Sequence, residues 1–138
     1  MNRQARRWQL SVLLAESDKE DRRLCTRIIE RAGHRVTVAT DGIEAIRLVR
    51  DRDWHVVLAE RTLPGASGLD VLERAYELRP DALRLLMGST LDAQTQSEAM
   101  TRAHAHAFIE KPAVREAFAV VVGRIPGEFE VRFAEGGA

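Results

Sequence analysis

His55-Val56-Val57-Leu58-Ala59-Glu60-Arg61-Thr62-Leu63-Pro64-Gly65-Ala66-Ser67-Gly68 is the stretch on which the reading of the fold turns. Val56, Val57, Leu58 and Ala59 are apolar on successive positions. Side chains of a strand alternate between its two faces, so such a run fits a strand covered on both sides, as in a parallel sheet. An acid, Glu60, ends the run, Pro64-Gly65 marks a loop, and Ser67 with Asp70 sets short oxygen-bearing side chains where first-turn amides lack partners. A helix is expected to begin there.

The same unit recurs on either side. Strand-length apolar runs fall at residues 10–15, 35–39, 55–59, 83–87 and 105–109. Between them lie stretches of helical period: Leu24, Ile28, Ile29 and Ala32; Ile43, Ile46 and Val49; Leu69, Leu72, Ala75 and Tyr76; and, last, Val114, Phe118, Val121 and Ile125. Residues 92–103 have only Ala99, Met100 and a few small residues to bury, so this fourth helix is expected to be the least firmly held. Asp18 with Asp21 caps the first helix, Gly33 suits its end, and Pro80 closes the third. Five strands alternating with five helices, joined by right-handed crossovers, give an α/β, doubly wound parallel sheet whose ligand site lies beyond the carboxyl ends of the strands. That rule singles out Glu16, Glu60, Gly88 and Lys111. The division expected is a basic tail at 1–8, one domain at 9–125 and a linker or tail at 126–138.

Composition narrows the partners. The 138 residues carry 21 Lys plus Arg against 21 Asp plus Glu, so no net field exists to recruit nucleic acid or an anionic membrane. Apolar runs stay well short of the ~20 residues that span a bilayer. The single cysteine, Cys25, sits on a helical face beside Leu24 and Ile28 and reads as a small buried apolar residue, which fits a reducing cytoplasm. His104 and His106 read as exposed loop residues, and Trp8, Trp54 and Phe108 as packing or edge residues.

Four separated signatures resemble the receiver domain of bacterial response regulators over roughly residues 10–124. Val12-Leu13-Leu14-Ala15-Glu16-Ser17-Asp18 resembles the first strand and its acidic end, and His34-Arg35-Val36-Thr37-Val38-Ala39 with Asp41-Gly42-Ile43-Glu44-Ala45 the second strand and helix. The stretch quoted at the outset resembles the phosphoacceptor strand with its Pro-Gly loop, and Phe108-Ile109-Glu110-Lys111-Pro112 the fifth strand with the family's Lys-Pro. The resemblance implies a flavodoxin-like strand order 2-1-3-4-5 and a non-enzymatic role in two-component, phosphorelay signalling. Its implied partners are proteins, a histidine kinase or a downstream effector, with a homodimer through the fourth helix, fifth strand and fifth helix.

The resemblance also locates departures. An aspartate ends the third strand in ordinary receivers and accepts a phosphoryl group; here Glu60 stands there. The added methylene moves the carboxylate by roughly 1.5 Å, and a ~1 Å misplacement costs about a hundredfold where positioning supplies most of the catalysis. The acidic pair after the first strand is represented by Glu16 and Ser17, which leaves Glu16 and Glu60 as metal ligands, hence weak or absent magnesium and no resident cofactor. The hydroxyl position after the fourth strand falls on Gly88 when aligned from Pro80 and Asp92, and on Ser89 when counted back from Lys111; Gly88 is preferred. Phe108 occupies the aromatic switch position, and Lys111 the lysine that pairs with the acceptor carboxylate. The reading is therefore an atypical receiver that acts through phosphorylation-independent protein–protein contact, with a Glu60–Lys111 pair standing in for part of the phosphorylated state. The alternative is a slow magnesium-dependent phosphoacceptor. A nucleotide- or flavin-binding enzyme ranks below both, because Glu16-Ser17-Asp18 follows the first strand where such enzymes carry a glycine-rich phosphate loop.

Overall fold

The computed structural model describes residues 9–111. The strands are β1 (Ser11–Ala15), β2 (Arg35–Ala39), β3 (Val56–Glu60), β4 (Leu83–Gly88) and β5 (Ala107–Glu110), all parallel, in the order β2-β1-β3-β4-β5. Four helices alternate with them: α1 (Lys19–Arg31), α2 (Gly42–Asp51), α3 (Gly68–Leu78) and α4 (Ala93–Ala103). The expected strand order is the observed one. The expected fifth helix, through Val114 and Ile125, and the expected tails at 1–8 and 126–138 lie outside the described residues.

Alternation along each strand builds two cores. Leu13, Ala15, Val57, Ala59 and Leu86 meet Ala45 and Val49 of α2, Val71, Leu72 and Ala75 of α3, and Ala99 and Ala103 of α4. Val12, Leu14, Val56, Leu58, Leu85, Met87 and Ile109 meet Cys25 and Ile29 of α1. Both faces of β3 and β4 are dry, which is why, apart from Glu60 and Arg84, their residues are apolar on both faces; the edge strand β2 is half-exposed and reads less cleanly. Each fully buried Leu or Ile contributes roughly 1.5–3 kcal/mol.

The helix starts are fixed by side chains. Asp18 Oδ2 accepts from the amide of Asp21 at 2.9 Å, Asp41 Oδ1 from Glu44 at 2.8 Å and Asp92 Oδ1 from Thr95 at 2.8 Å. Ser67 and Asp70 exchange bonds in a reciprocal capping box. The loops after β2 and β3 interlock, since the amide of Gly42 donates to the Pro64 carbonyl at 2.9 Å and a Cβ on Gly42 would stand 1.9 Å from the Ala66 oxygen. Helix α4 buries only Thr95, Ala99 and Ala103 while Met100 is exposed, and Arg102 adds bonds to Asp70 and Glu73 of α3 at 3.0 and 2.8 Å.

Arg84 breaks the apolar run of β4 yet is 3% exposed. Its guanidinium donates to the carbonyls of Ala103, Pro80 and Ala82 at 2.8, 3.0 and 2.8 Å, with a longer bond to His104, and lies over the Tyr76 ring. The cation thereby satisfies the last carbonyls of α4, which have no partners within the helix. Arg84→Met, similar in length but without donors, is expected to lower stability by about 2–4 kcal/mol through the carbonyls it leaves unpaired. Urea unfolding of the two chains measures this; a loss under about 0.5 kcal/mol would show that water takes over those carbonyls freely.

Candidate functional site

The carboxyl ends of β1, β3, β4 and β5 line one cleft of about 370 Å³, walled by Glu16, Glu60, Gly88 and Lys111 with Ser17, Asp18, Arg61, Thr62, Ser89 and Thr90 at its mouth. Backbone bonds running past the strand ends set these side chains in place. The amide of Glu16 donates to the Ala39 carbonyl at 3.0 Å, that of Arg61 to Met87 at 2.7 Å and that of Lys111 to Gly88 at 2.9 Å. The loop after β3 can close tightly over Glu60 because Gly68 has no side chain: a Cβ there would stand 2.0 Å from the Glu60 carbonyl oxygen.

Lys111 is the centre. Its Nζ lies 2.7 Å from Glu16 Oε1, 2.7 Å from Asp21 Oδ2 and 2.5 Å from Glu60 Oε1. An ammonium has three protons, so each carboxylate receives one. The other oxygens of the two glutamates are also engaged: Glu16 Oε2 accepts from the Asp18 amide at 3.1 Å and Glu60 Oε2 from the Thr62 amide at 3.2 Å. Glu16 is 1% exposed, and burial raises its carboxyl above the ordinary value against the opposing pull of Lys111 and the Asp18 amide. Burial pulls the Lys111 ammonium down, but its bonds to Asp21, Glu16 and Glu60 outweigh that and hold it above the usual lysine range.

The structure thus brings together Glu16, Glu60, Gly88 and Lys111, sets Ser17 and Ser89 at the mouth of the same cleft, and leaves Phe108 outside its lining. Ser17 is exposed, its carbonyl accepting from Arg22 Nη1 at 2.5 Å. Of the two alternatives after β4, Gly88 ends the strand and is buried, with a notional Cβ 3.5 Å from Glu60 Oε2, whereas Ser89 is exposed one residue further on. Phe108 is half-buried in β5, in register with Leu86, and packs into the core shared with α2, α3 and α4. Asp21 is the residue missed by sequence reasoning. It is expected only as the capping partner of Asp18, and nothing local says that its carboxylate meets a lysine in the last strand's wake.

Magnesium, which the fold brings into question, needs near-octahedral oxygens at roughly 2.0–2.1 Å and keeps several waters. The near oxygens of Glu16 and Glu60 face the ammonium of Lys111 instead, so the residues as arranged do not fit the ion. Among the described residues no group of three or more His, Cys, Asp or Glu side chains is set to hold a metal. No helix among them is long and apolar enough to cross a membrane.

Comparison with known proteins agrees with this geometry at the level of fold and family. The sequence matches the response regulator receiver domain family over residues 12–122. It is similar to the sensory/regulatory protein RpfC of Xanthomonas campestris pv. campestris, 26% identical over 117 residues; the match takes in 83% of this chain and 16% of RpfC, so the chain spans about a sixth of that relative's length. A CheY-like response regulator receiver domain protein from Methanospirillum hungatei JF-1 superposes with a TM-score of 0.82 at 20% identity, covering 90% of this chain and 98% of that one. A response regulator protein from Burkholderia pseudomallei, solved with a phosphorylated aspartic acid, a calcium ion and citrate, superposes with a TM-score of 0.76 at 22% identity, covering 94% and 76%. At these identities the structural likeness speaks for the fold alone.

The buried carboxyl of Glu16 gives the site a pH signature. A carboxyl held above its ordinary value binds more protons folded than unfolded in the interval between the two values, so its contribution to stability falls as pH rises through that interval. Lys111→Met removes the cation that opposes this, lifts Glu16 further and widens the interval. The variant is expected to be less stable than the natural chain by roughly 3–5 kcal/mol near pH 8 and by less near pH 5. Urea unfolding at the two pH values measures the difference, and an equal deficit at both would show that Lys111 balances no buried carboxylate.

Proposed function

The chain belongs to the response regulator receiver domain family, and from that premise we propose that it is an atypical receiver that signals by presenting a protein-binding surface rather than by cycling a phosphoryl group. The single observation that carries this reading is the engagement of both Glu60 oxygens, one on Lys111 and one on the Thr62 amide. Glu60 stands in place of the acceptor aspartate. A carboxylate attacks a phosphorus centre through a free oxygen in line with the leaving group, and the developing charge is normally spread onto a metal ion. Here the nucleophile is one methylene longer, both its oxygens are bonded, and two further carboxylates, from Glu16 and Asp21, surround the point an incoming anion would approach. Gly88 supplies no hydroxyl for a phosphoryl oxygen, and Phe108 has no phenolic group to couple to one.

In this reading the Glu60–Lys111 contact holds permanently the link that ordinary receivers form around phosphate. Receivers work with histidine kinases and effectors, and the partner here is a protein that reads the fixed state. The face of α4 and β5, where Met100 is exposed, is the docking or dimerisation surface, and the buried free thiol of Cys25 supports a reducing, cytoplasmic setting. Incubation of the natural chain with magnesium and acetyl phosphate is expected to leave its intact mass unchanged, and magnesium with beryllium fluoride to leave the amide signals of Glu16, Glu60 and Lys111 in place. Glu60→Asp run alongside shows whether shortening the side chain alone restores labelling. A phosphoryl adduct on Glu60 of the natural chain would sink the proposal and restore a slow phosphoacceptor.

A further inference from the structure

The poor fit of the site to a divalent ion has a positive counterpart in its geometry. Three carboxylate oxygens from three different elements, the end of β1, the first turn of α1 and the end of β3, converge on one point at 2.5–2.7 Å. That spacing is close to the ~2.3–2.6 Å at which oxygens surround calcium, and the object at the point is the ammonium of Lys111. We propose that Lys111 is the resident cation of this site, filling with Asp21 as its third ligand the place that a divalent ion would otherwise take between Glu16 and Glu60. This rests on the reading of the chain as a phosphorylation-independent receiver and adds to it the reason no metal is needed.

Two observations support it. Arg22 directs its Nη1 to the backbone carbonyls of Glu16 and Ser17 and Arg61 directs its own to that of Thr90, so among the described residues no cation other than Lys111 is bonded to the three carboxylates. Asp21 is brought to the point by the start of α1, where its amide is held by Asp18 Oδ2 at 2.9 Å and its side chain is left to face Lys111. Asp21 is thus a positioning residue: it acts on Glu60 through the lysine and does not touch it.

The test asks whether removing the ammonium uncovers a metal site. Manganese(II) is titrated into nitrogen-15-labelled natural chain, Lys111→Met and the double variant Asp21→Asn/Lys111→Met, and paramagnetic broadening is read at the amides of Asp18 and Thr62. Expected are no saturable broadening in the natural chain at millimolar ion, saturable broadening in Lys111→Met at roughly tenfold lower ion concentration or less, and a loss of about tenfold or more on adding Asp21→Asn. Broadening of the natural chain equal to that of Lys111→Met, no gain in Lys111→Met, or no loss in the double variant would each overturn the proposal. Should Lys111→Met not fold, the nitrogen signal of the Lys111 ammonium decides: slow proton exchange in the natural chain that becomes fast in Asp21→Asn is expected, and fast exchange in the natural chain overturns it. Neither measurement uses a phosphodonor, so failure here leaves the phosphorylation-independent reading intact, and an adduct on Glu60 would remove that reading without altering the metal titration.

Discussion

The ammonium of Lys111 has three protons to give, and each ends on a different carboxylate. Glu16 is 1% exposed, and an unpaired carboxylate with so little water costs several kcal/mol. The ends of β1, β3 and β5 and the first turn of α1 must therefore meet at a common point, or the charges have nowhere to go. Sheet order makes that meeting possible: β1 and β3 are neighbours, and β4, which ends in Gly88, is the one strand that separates β3 from β5. Hydrophobic burial favours the sheet as a whole, and the charge balance selects how its edge is arranged.

The opposite edge solves the reverse problem. There a buried cation, Arg84, meets carbonyl oxygens at the end of α4 and the turn before β4, with the Tyr76 ring beneath the guanidinium and stacked in turn on His104 at 4.1 Å. Arginine suits this because its donors fan out in a fixed plane and reach several acceptors at once, whereas the compact ammonium of Lys111 suits a three-sided cup. Strand β4 thus carries a charged anchor below and an uncharged, side-chain-free end above.

Much of this was legible in the sequence because it rests on local rules. Runs such as 56–59 and 85–87 are continuous apolar stretches since both faces of their strands are covered, and Asp18 and Ser67 reveal helix starts because a cap acts within one turn. The line-up of Glu16, Glu60, Gly88 and Lys111 followed from the rule that strand ends share an edge. What was not legible is what depends on distance between elements. Asp21 looked like a cap partner, since its second role is set by a residue 90 positions away. Arg84 was absorbed into an apolar run because its partners are backbone carbonyls, which no residue type announces. The choice between Gly88 and Ser89 turned on one residue of loop length, which spacing leaves open; the register pairs Gly88 with Glu110 at the end of β4 and sets Ser89 one residue beyond it.

Cys25 carries a practical consequence of the core beneath this site. Its Sγ donates to Met87 Sδ at 3.8 Å, and burial, followed by the nearby charge of Glu16, pushes the thiol up to about 12. Near neutral pH such a thiol stays protonated, and the thiolate is the reactive form. Alkylating reagents therefore meet a chemically silent background among the described residues. A cysteine placed at an exposed position such as Met100 would be modified on its own, so fluorophores or spin labels can be attached to the α4 face without first removing the natural thiol.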